Sequence, residues 1–540
     1  MYLRNRQRSA SQLMRVIVLC AVFILINMNI GLSQELMPQT NDIRLDDIIP
    51  KKTNIYSPAL AVNNTNQIMA VWIGETESLQ PRVYGRIVDY PDKLQNSEFQ
   101  IDPSNQDANI VSRNVDIAPD ENGNFFVVWE DLHNSRESKI YGRIFDAQGK
   151  TIIDKTILVG EDEQVPVYAT SPVIAINKKN TARIAWVDSS RRIMTRSIEI
   201  NKKTGLLELG KTERVDQNTR LTPSAFDPNI AAAPGGEFVI TWVDNRYEFA
   251  TNQGTPLVFA RQYNANGNPI HNDFQVNSFV PPVTTPCSAP DVVVDQQGNT
   301  MIFCWNDGRN STGQGNSSIY SRTFSWSQKP ESNDFFIASC LLNARPSLVI
   351  DFQNNITFIY PQTSQRQTDP QAALDHIFAR SYKMGYEILG QTVQLDQGNA
   401  VDRDTQLKSF MTNSGEIFTT WTQNTIQDTT GRIFFNSYAI IRPASPQFLT
   451  ASDTGLNFIK WEWKYDGEKK VKFHFKNQAD SIISPALSER ETSWREENLT
   501  PNTLVTRTIS AVFDDGAESL PSNEVSLFTL AEPPDSLEAT

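Results

Sequence analysis

The sequence predicts an all-β chain, and three recurring features carry that prediction: an aromatic residue at near-constant spacing, a polar turn before it and an aromatic-x-Arg signature after it. The aromatics close short apolar runs at Trp72, Trp129, Trp186, Trp242, Trp305, Tyr360 and Trp421, in steps of 57, 57, 56, 63, 55 and 61 residues. That period is too long for a heptad or a small solenoid turn. It matches one four-stranded antiparallel unit with its loops, and seven such units close into a β-propeller.

Each unit reads as the same four strands. The innermost is SPALAVN from Ser57, NVDIAPD from Asn114, SPVIAIN from Ser171, DPNIAAA from Asp227, APDVVVD from Ala289, RPSLVID from Arg345 and, more weakly, DTQLKSF from Asp404. A turn of Asn, Gly and Asp follows, as in ENGN from Glu121, because these residues accept the positive φ of tight hairpins. The second strand is the aromatic-terminated run, such as FFVVW. The third carries the signature in VYGRIVD from Val83, IYGRIFD from Ile140, VFARQYN from Val258, IYSRTFS from Ile319 and IFARSYK from Ile377. Strand alternation puts its aromatic and its Arg on one face, where the guanidinium is expected to stack on a ring or pair with a neighbouring acid. The fourth is FQID from Phe99, ILVG from Ile157, ERVD from Glu213, FQVN from Phe274, FFIA from Phe335 and VQLD from Val393, six copies for seven units. The seventh copy is IRLD from Ile43, far upstream, so residues 43–46 are expected to complete the last unit and close the ring with an amino-terminal strand.

The expected domains are a signal peptide at 1–33, the propeller at 34–442, a second module at 443–531 and a linker or tail at 532–540. The leader is basic (Arg4, Arg6, Arg8, Arg15), then apolar from about Val16 to Ile30, with Gly31 and Ser33 at the −3 and −1 positions for cleavage before Gln34. An uncleaved anchor is the competing reading. Losing the leader removes four positive charges from a net −13 and leaves about −17. Such acidity argues against nucleic acid and anionic membranes as partners, and no later segment is apolar enough for membrane insertion. A monomer outside the cytoplasm, secreted or on the cell surface, is expected.

At Pro443 the period stops. The segment carries IKWEW around Trp461, VKFHF from Val471, NLTPNTLVTRTISA from Asn498 and ESLPSNEVSLFTL from Glu518. It resembles the fibronectin type III family in its second-strand Trp, its Leu-x-Pro-x-Thr stretch and its Pro-Ser-Asn before the last strand. The resemblance implies a β-sandwich that acts as spacer or adhesion module. The Tyr of the family's tyrosine corner is replaced by Val505.

Catalytic templates such as GxSxG, HExxH and the P-loop are missing. His133, His271, His376 and His474 lie in different units without ligand spacing, and turns such as Asp120–Asn124 lack alternating acidic ligands, so no metal or other cofactor is expected. Antiparallel pairing could join Cys287 to Cys304, and either a bridge or free thiols fits the spacing. Two Trp-x-Asp-x-Arg segments supply Asp244 with Arg246 and Asp307 with Arg309, with looser forms at Asp131/Arg136 and Asp188/Arg191. Recurrence favours a structural ion pair beside the core Trp; the other reading makes them ligand contacts. Loops between second and third strands lengthen at Asn306–Ser318 and Pro361–His376, which marks their face for binding. Arg113, Arg345 and Arg403 precede innermost strands, and on that face three guanidinium groups could converge on a carboxylate. Sialidases use an arginine cluster of this kind on propellers of six blades, but the resemblance is in fold only, since no Ser-x-Asp-x-Gly-x-Thr-Trp box and no Tyr/Glu nucleophile pair is recognisable here. The expected function is non-enzymatic binding or adhesion to a glycan or an extracellular protein. The alternative is a carbohydrate-active enzyme, a sialidase-like glycosidase or lyase, at the channel mouth, which would need at least two carboxylates around one pocket.

Overall fold

The structure, a computed structural model, describes residues 36–533 apart from 48–51, 77–78, 90–92, 103–109, 134–136, 161–167, 201–205, 221–222, 247–255, 279–285, 311–315, 342–343, 365–373, 398–405, 413–414, 426–427, 441, 468–469, 480 and 514–516. The expected signal peptide at 1–33, Arg403, Arg136 and the last residues of the tail fall outside the described residues. The chain divides into two compact units, Leu36–Ile440 and a smaller one whose described residues run from 442 to 533.

Among the described residues of the larger unit there are seven antiparallel sheets of four or five strands, six of them built from consecutive strands of the chain. The first comprises Lys52–Val62, Gln67–Thr76, Leu79–Asp89 and Lys93–Gln100. The innermost strand of each sheet packs beside that of the next, and that of the seventh returns to the first. The unit is therefore a β-propeller, a ring of small sheets about a central channel. The seventh sheet has three strands of its own, Leu407–Met411, Glu416–Thr425 and Asp428–Ile440. Its outer side is completed by Leu36–Pro38 and Ile43–Arg44, with Leu36 opposite Ile440 and Ile43 opposite Phe435.

Because every sheet is covered on both faces, the second strands are buried along most of their length instead of alternating; Phe238–Asp244 is buried at all seven positions, Thr241 and Asp244 included. Each hydrophobic layer is shared by two neighbouring sheets, as where Val71 and Ile73 meet Phe125 and Trp129. The layer that closes the ring joins Leu60, Val62 and Trp72 of the first sheet to Leu45, Phe418, Ile433 and Phe435 of the seventh.

The third-strand Arg finds the expected neighbouring acid in several sheets, as Arg86 with Asp47 at 3.0 Å and Arg143 with Asp154 at 3.1 Å, and adds a main-chain partner the sequence did not suggest. Arg143 donates to the Ile101 carbonyl at 2.7 Å, Arg196 to Leu158 at 2.7 Å, Arg261 to Val215 at 3.0 Å and Arg322 to Val276 at 2.9 Å. In each pair the acceptor lies on the outer strand of the preceding sheet. Arg86 does the same across the closure, to the Leu45 carbonyl at 2.8 Å, and Asn436 takes the role in the seventh sheet toward Leu395 at 2.8 Å. Ring stacking accompanies this only loosely, with Arg143 at 5.3 Å from the Phe145 ring centre.

The smaller unit has seven strands in two sheets. Gln447–Thr454, Ile459–Lys464 and Ser493–Glu496 form one. Leu487–Ser488, Val471–Lys476, Leu504–Phe513 and Val525–Phe528 form the other. Trp461, Trp463, Phe473, Phe475 and Val505 are buried between them. Among the described residues, no helix is long and apolar enough to cross a membrane.

Candidate functional site

In five sheets the innermost strand begins with a residue in the left-handed region: Ser57 (φ 51°), Asn114 (45°), Ser171 (54°), Asp227 (49°) and Ala289 (47°). At the same points the pairing with the second strand slips. These are β-bulges, which re-aim the residues that follow. Pro58, Pro172, Pro228 and Pro290 come next in four of them, where no ladder N–H is needed. Ala289 has no polar side chain to ease a positive φ, so its conformation is held by the surrounding ring.

The re-aimed positions line a cavity of about 190 Å³ on the axis, to which all seven sheets contribute. Its polar wall is Ser57, Asn114, Asp116, Ser171, Asp227, Asn229, Arg345, Gln406 and Lys408. The cavity lies at the starts of innermost strands. Those starts face the ends of second strands, as Cys287 faces Asp307 and Ser112 faces Asp131, so cavity and lengthened loops share one face.

Hydrogen bonds between sheets hold the wall. Asp116 accepts from the Ile174 amide at 2.9 Å. Asn229 donates to Asp291 at 2.8 Å, and Asp291 accepts from the Leu348 amide at 2.8 Å. Gln406 accepts from the Ser57 amide at 2.6 Å, and Ser347 from Ser409 at 3.1 Å. Asp227 accepts from the Ala289 amide at 3.1 Å and pairs at 2.8 Å with Arg345, which reaches across from two sheets away. Burial raises the pKa of Asp116, partly offset by Lys408 and the Ile174 and Ile117 amides. Burial works against the Lys408 ammonium, but Asp291 and Asp116 outweigh it and raise its pKa.

Of the three arginines expected at the mouth, Arg403 lies outside the described residues and Arg345 lines the cavity. Arg113 lies one position before the bulge, so it is exposed opposite Glu130, and its charge acts on Tyr56. Glu130 also acts on Tyr56 electrostatically, as the weakest of the four influences on it. Glu130 is spent, accepting from Asn114 at 2.7 Å, Ser138 at 3.1 Å and the Ser171 amide at 3.3 Å. Burial and Glu75 push the Tyr56 hydroxyl up to about 12.

Asp244, Arg246, Asp307 and Arg309 are bound up within their sheets. Trp305 donates its indole N–H to Asp307 at 2.9 Å; Asp307 pairs with Arg309 at 2.6 Å, and Arg309 lies 4.2 Å over the Tyr320 ring and reaches Asp334 at 2.9 Å. Trp242, Asp244, Arg246, Phe259 and Asp273 repeat the set. In the second sheet Asp131 pairs with Lys155 at 2.6 Å, not with an arginine, and Lys155 lies 4.0 Å over Tyr141. Asp188 is a turn residue that accepts the Ser190 and Arg192 amides.

The Cys287–Cys304 bridge is not formed. Cys287 faces Asp307 in register while Cys304 faces Asp291, and the two thiols belong to different hydrophobic layers. Cys287, Cys304 and Cys340 are free and buried, and burial raises all three thiols, Cys340 to about 12. Asp120 accepts the Asn122 and Asn124 amides as a turn residue. Among the described residues no group of three His, Cys, Asp or Glu could hold a metal ion.

No family model matches the chain, and no curated protein matches it in sequence. Among solved structures it is similar to an ulvan lyase of polysaccharide lyase family PL25 bound to -[GlcA(1-4)Rha3S]-, at 9% identity and TM-score 0.46 over 74% of this chain and 96% of that one. It is similar to a Hadza microbial sialidase at 9% identity and TM-score 0.41, over 72% of this chain and 66% of that one. The GH93 α-L-arabinofuranosidase of Fusarium graminearum with arabinobiose matches at 10% identity and TM-score 0.41, over 74% and 98%. Identities and scores of this size carry no residue roles from those enzymes to this chain.

Proposed function

We propose that the chain is a carbohydrate-active protein that takes a glycan at the channel mouth of a seven-bladed propeller, carried on a fibronectin type III-like sandwich and working outside the cytoplasm. The sandwich reading is supported by seven strands in sheets of three and four around Trp461.

One observation carries the functional reading. Seven innermost strands deliver hydroxyls, amides, carboxylates, an ammonium and a guanidinium to a single cavity. That mixture of donors and acceptors suits a polyhydroxylated ligand. At about 190 Å³ the cavity is smaller than the roughly 300–1,000 Å³ of pockets that enclose drug-sized molecules. It therefore takes a terminal or protruding sugar unit and not a length of chain.

The catalytic form of this reading is favoured over pure adhesion. Asp116 and Asp227 line one cavity on the long-loop face, which meets the minimum of two carboxylates, and burial predisposes Asp116 to keep a proton. The test is turnover of a polysaccharide panel, read as new reducing ends and as unsaturated products. The expected result is cleavage of at least one glycan by the native protein, with Asp116→Asn losing turnover and keeping binding. Binding without turnover would leave the adhesion form, and neither binding nor turnover would overturn the glycan reading.

A further inference from the structure

Acceptors around the cavity are largely spent and its cationic donors are not. Asp291 accepts from the Asn229 side chain and from the Val292 and Leu348 amides. Asp227 is shared between Arg345 and the Ala289 amide, and the Gln406 carbonyl is taken by the Ser57 amide. The Asn229 carbonyl is taken by the Ile230 amide.

Lys408 differs. It lines the cavity, and among the described residues its ammonium has no hydrogen bond and no ion pair within 4.0 Å. Arg345 spends one terminal nitrogen on Asp227 and keeps its remaining N–H groups at the mouth, its side chain 50% exposed. The two cations come from neighbouring sheets and repel each other weakly. Both come from the sixth and seventh sheets, where the described residues of the innermost strand pair with the second strand without a register shift.

We propose that Lys408 and Arg345 form an anion-holding pair at the channel mouth, so that the glycan enters by a carboxylate or sulfate group and is an acidic one. This rests on the mouth being the glycan site. The nearby carboxylates do not cancel the pair. Asp227 is matched by Arg345, Asp291 is held among three N–H donors, and Asp116 lies in surroundings that favour its neutral form. An incoming anion would give Lys408 the partner it lacks and could displace Asp227 from Arg345. Specificity follows from desolvation: a neutral sugar in the same place would strip water from the ammonium without supplying the hydrogen-bonded counter-charge that an anion brings. At a net charge of −13 the whole chain has no general attraction for anions, so selective capture would have to come from this pair.

The experiment is binding, by calorimetry, of uronic-acid oligosaccharides and their carboxyl-reduced counterparts, and of sulfated oligosaccharides and their desulfated counterparts. The native protein is expected to prefer one acidic member over its neutral counterpart by about tenfold or more, an advantage that shrinks with salt. The acidic arm that shows it identifies the anion. Arg345→Gln and Lys408→Gln should each lower binding of the acidic member by about tenfold, and that of the neutral counterpart by clearly less, and Lys408→Arg should restore part of the preference. Arg345 is exposed, so its variant keeps the test sound where Lys408→Gln fails to fold. Equal binding of acidic and neutral members, or an equal loss for both in the variants, would overturn the anion pair and leave the glycan site standing. No binding in any arm would overturn both.

Discussion

Asp307 is enclosed by four donors. The Trp305 indole N–H, the Arg309 guanidinium and the Cys287 thiol converge on one carboxylate oxygen, and the Arg309 amide takes the other. Arg309 keeps Asp334, so removing the carboxylate leaves the indole N–H as the buried donor without an acceptor, and Asp307→Ala should cost about 1–3 kcal/mol, read as a fall in unfolding midpoint under denaturant. Asp307→Asn keeps the shape and one acceptor and should cost less. Asp116 gives a pH signature. Its folded pKa is raised, so the folded state holds the proton more tightly than the unfolded one, and stability falls as pH climbs from the ordinary value of 3.8 through the raised one. Asp116→Asn removes that loss. The Tm difference between variant and native protein should therefore be more favourable at pH 7 than at pH 4; an unchanged difference would mean the carboxyl is ordinary in the folded state.

At the scale of the strand, the aromatic-x-Arg signature is a device for joining sheets. A sheet of four strands has an outer strand with little else to hold it to its neighbour, and one guanidinium reaching a main-chain carbonyl supplies a charge-assisted bond at each seam. Arg143→Ala and Arg196→Ala should each lose about 1.5–3 kcal/mol, and the double variant should lose nearly the sum, because the two bonds lie at different seams. Strong non-additivity in denaturant melts would show that neighbouring seams yield together. The strands and their order were legible because each apolar run keeps its length and ends in a marked residue. The partners across seams were not, because the repeat shows what recurs and not which carbonyl lies opposite. Arg113 illustrates a one-residue error: without the bulge at Asn114 in view, alternation cannot tell whether position 113 or position 116 faces the axis. The channel residues Asp116, Asn229 and Gln406 stand at the third letter of their innermost strands, a column where the copies disagree, and Lys408 stands two letters further on. A conserved-looking frame drew attention to the columns that agree.

At the scale of the whole molecule, the ring depends on eleven residues near the amino terminus. Residues 36–46 supply Leu36 and Leu45 to two hydrophobic layers and cover the outer edge of the seventh sheet. A chain lacking them would expose the edge of Asp428–Ile440, and an uncovered edge pairs with other chains. The truncated protein should melt at a lower temperature and run in size-exclusion chromatography as oligomers. A monomer with the native midpoint would show that the closure is dispensable.

That closure also sets an order in time. Leu36 finds its partner only when Ile440 exists, about 400 residues later in synthesis. At roughly 5–20 residues per second, the early segment waits on the order of 20–80 seconds with its hydrogen-bonding groups unclaimed. The last sheet is thus the natural final step of folding, and any factor that shields nascent chains would act on residues 36–46 first.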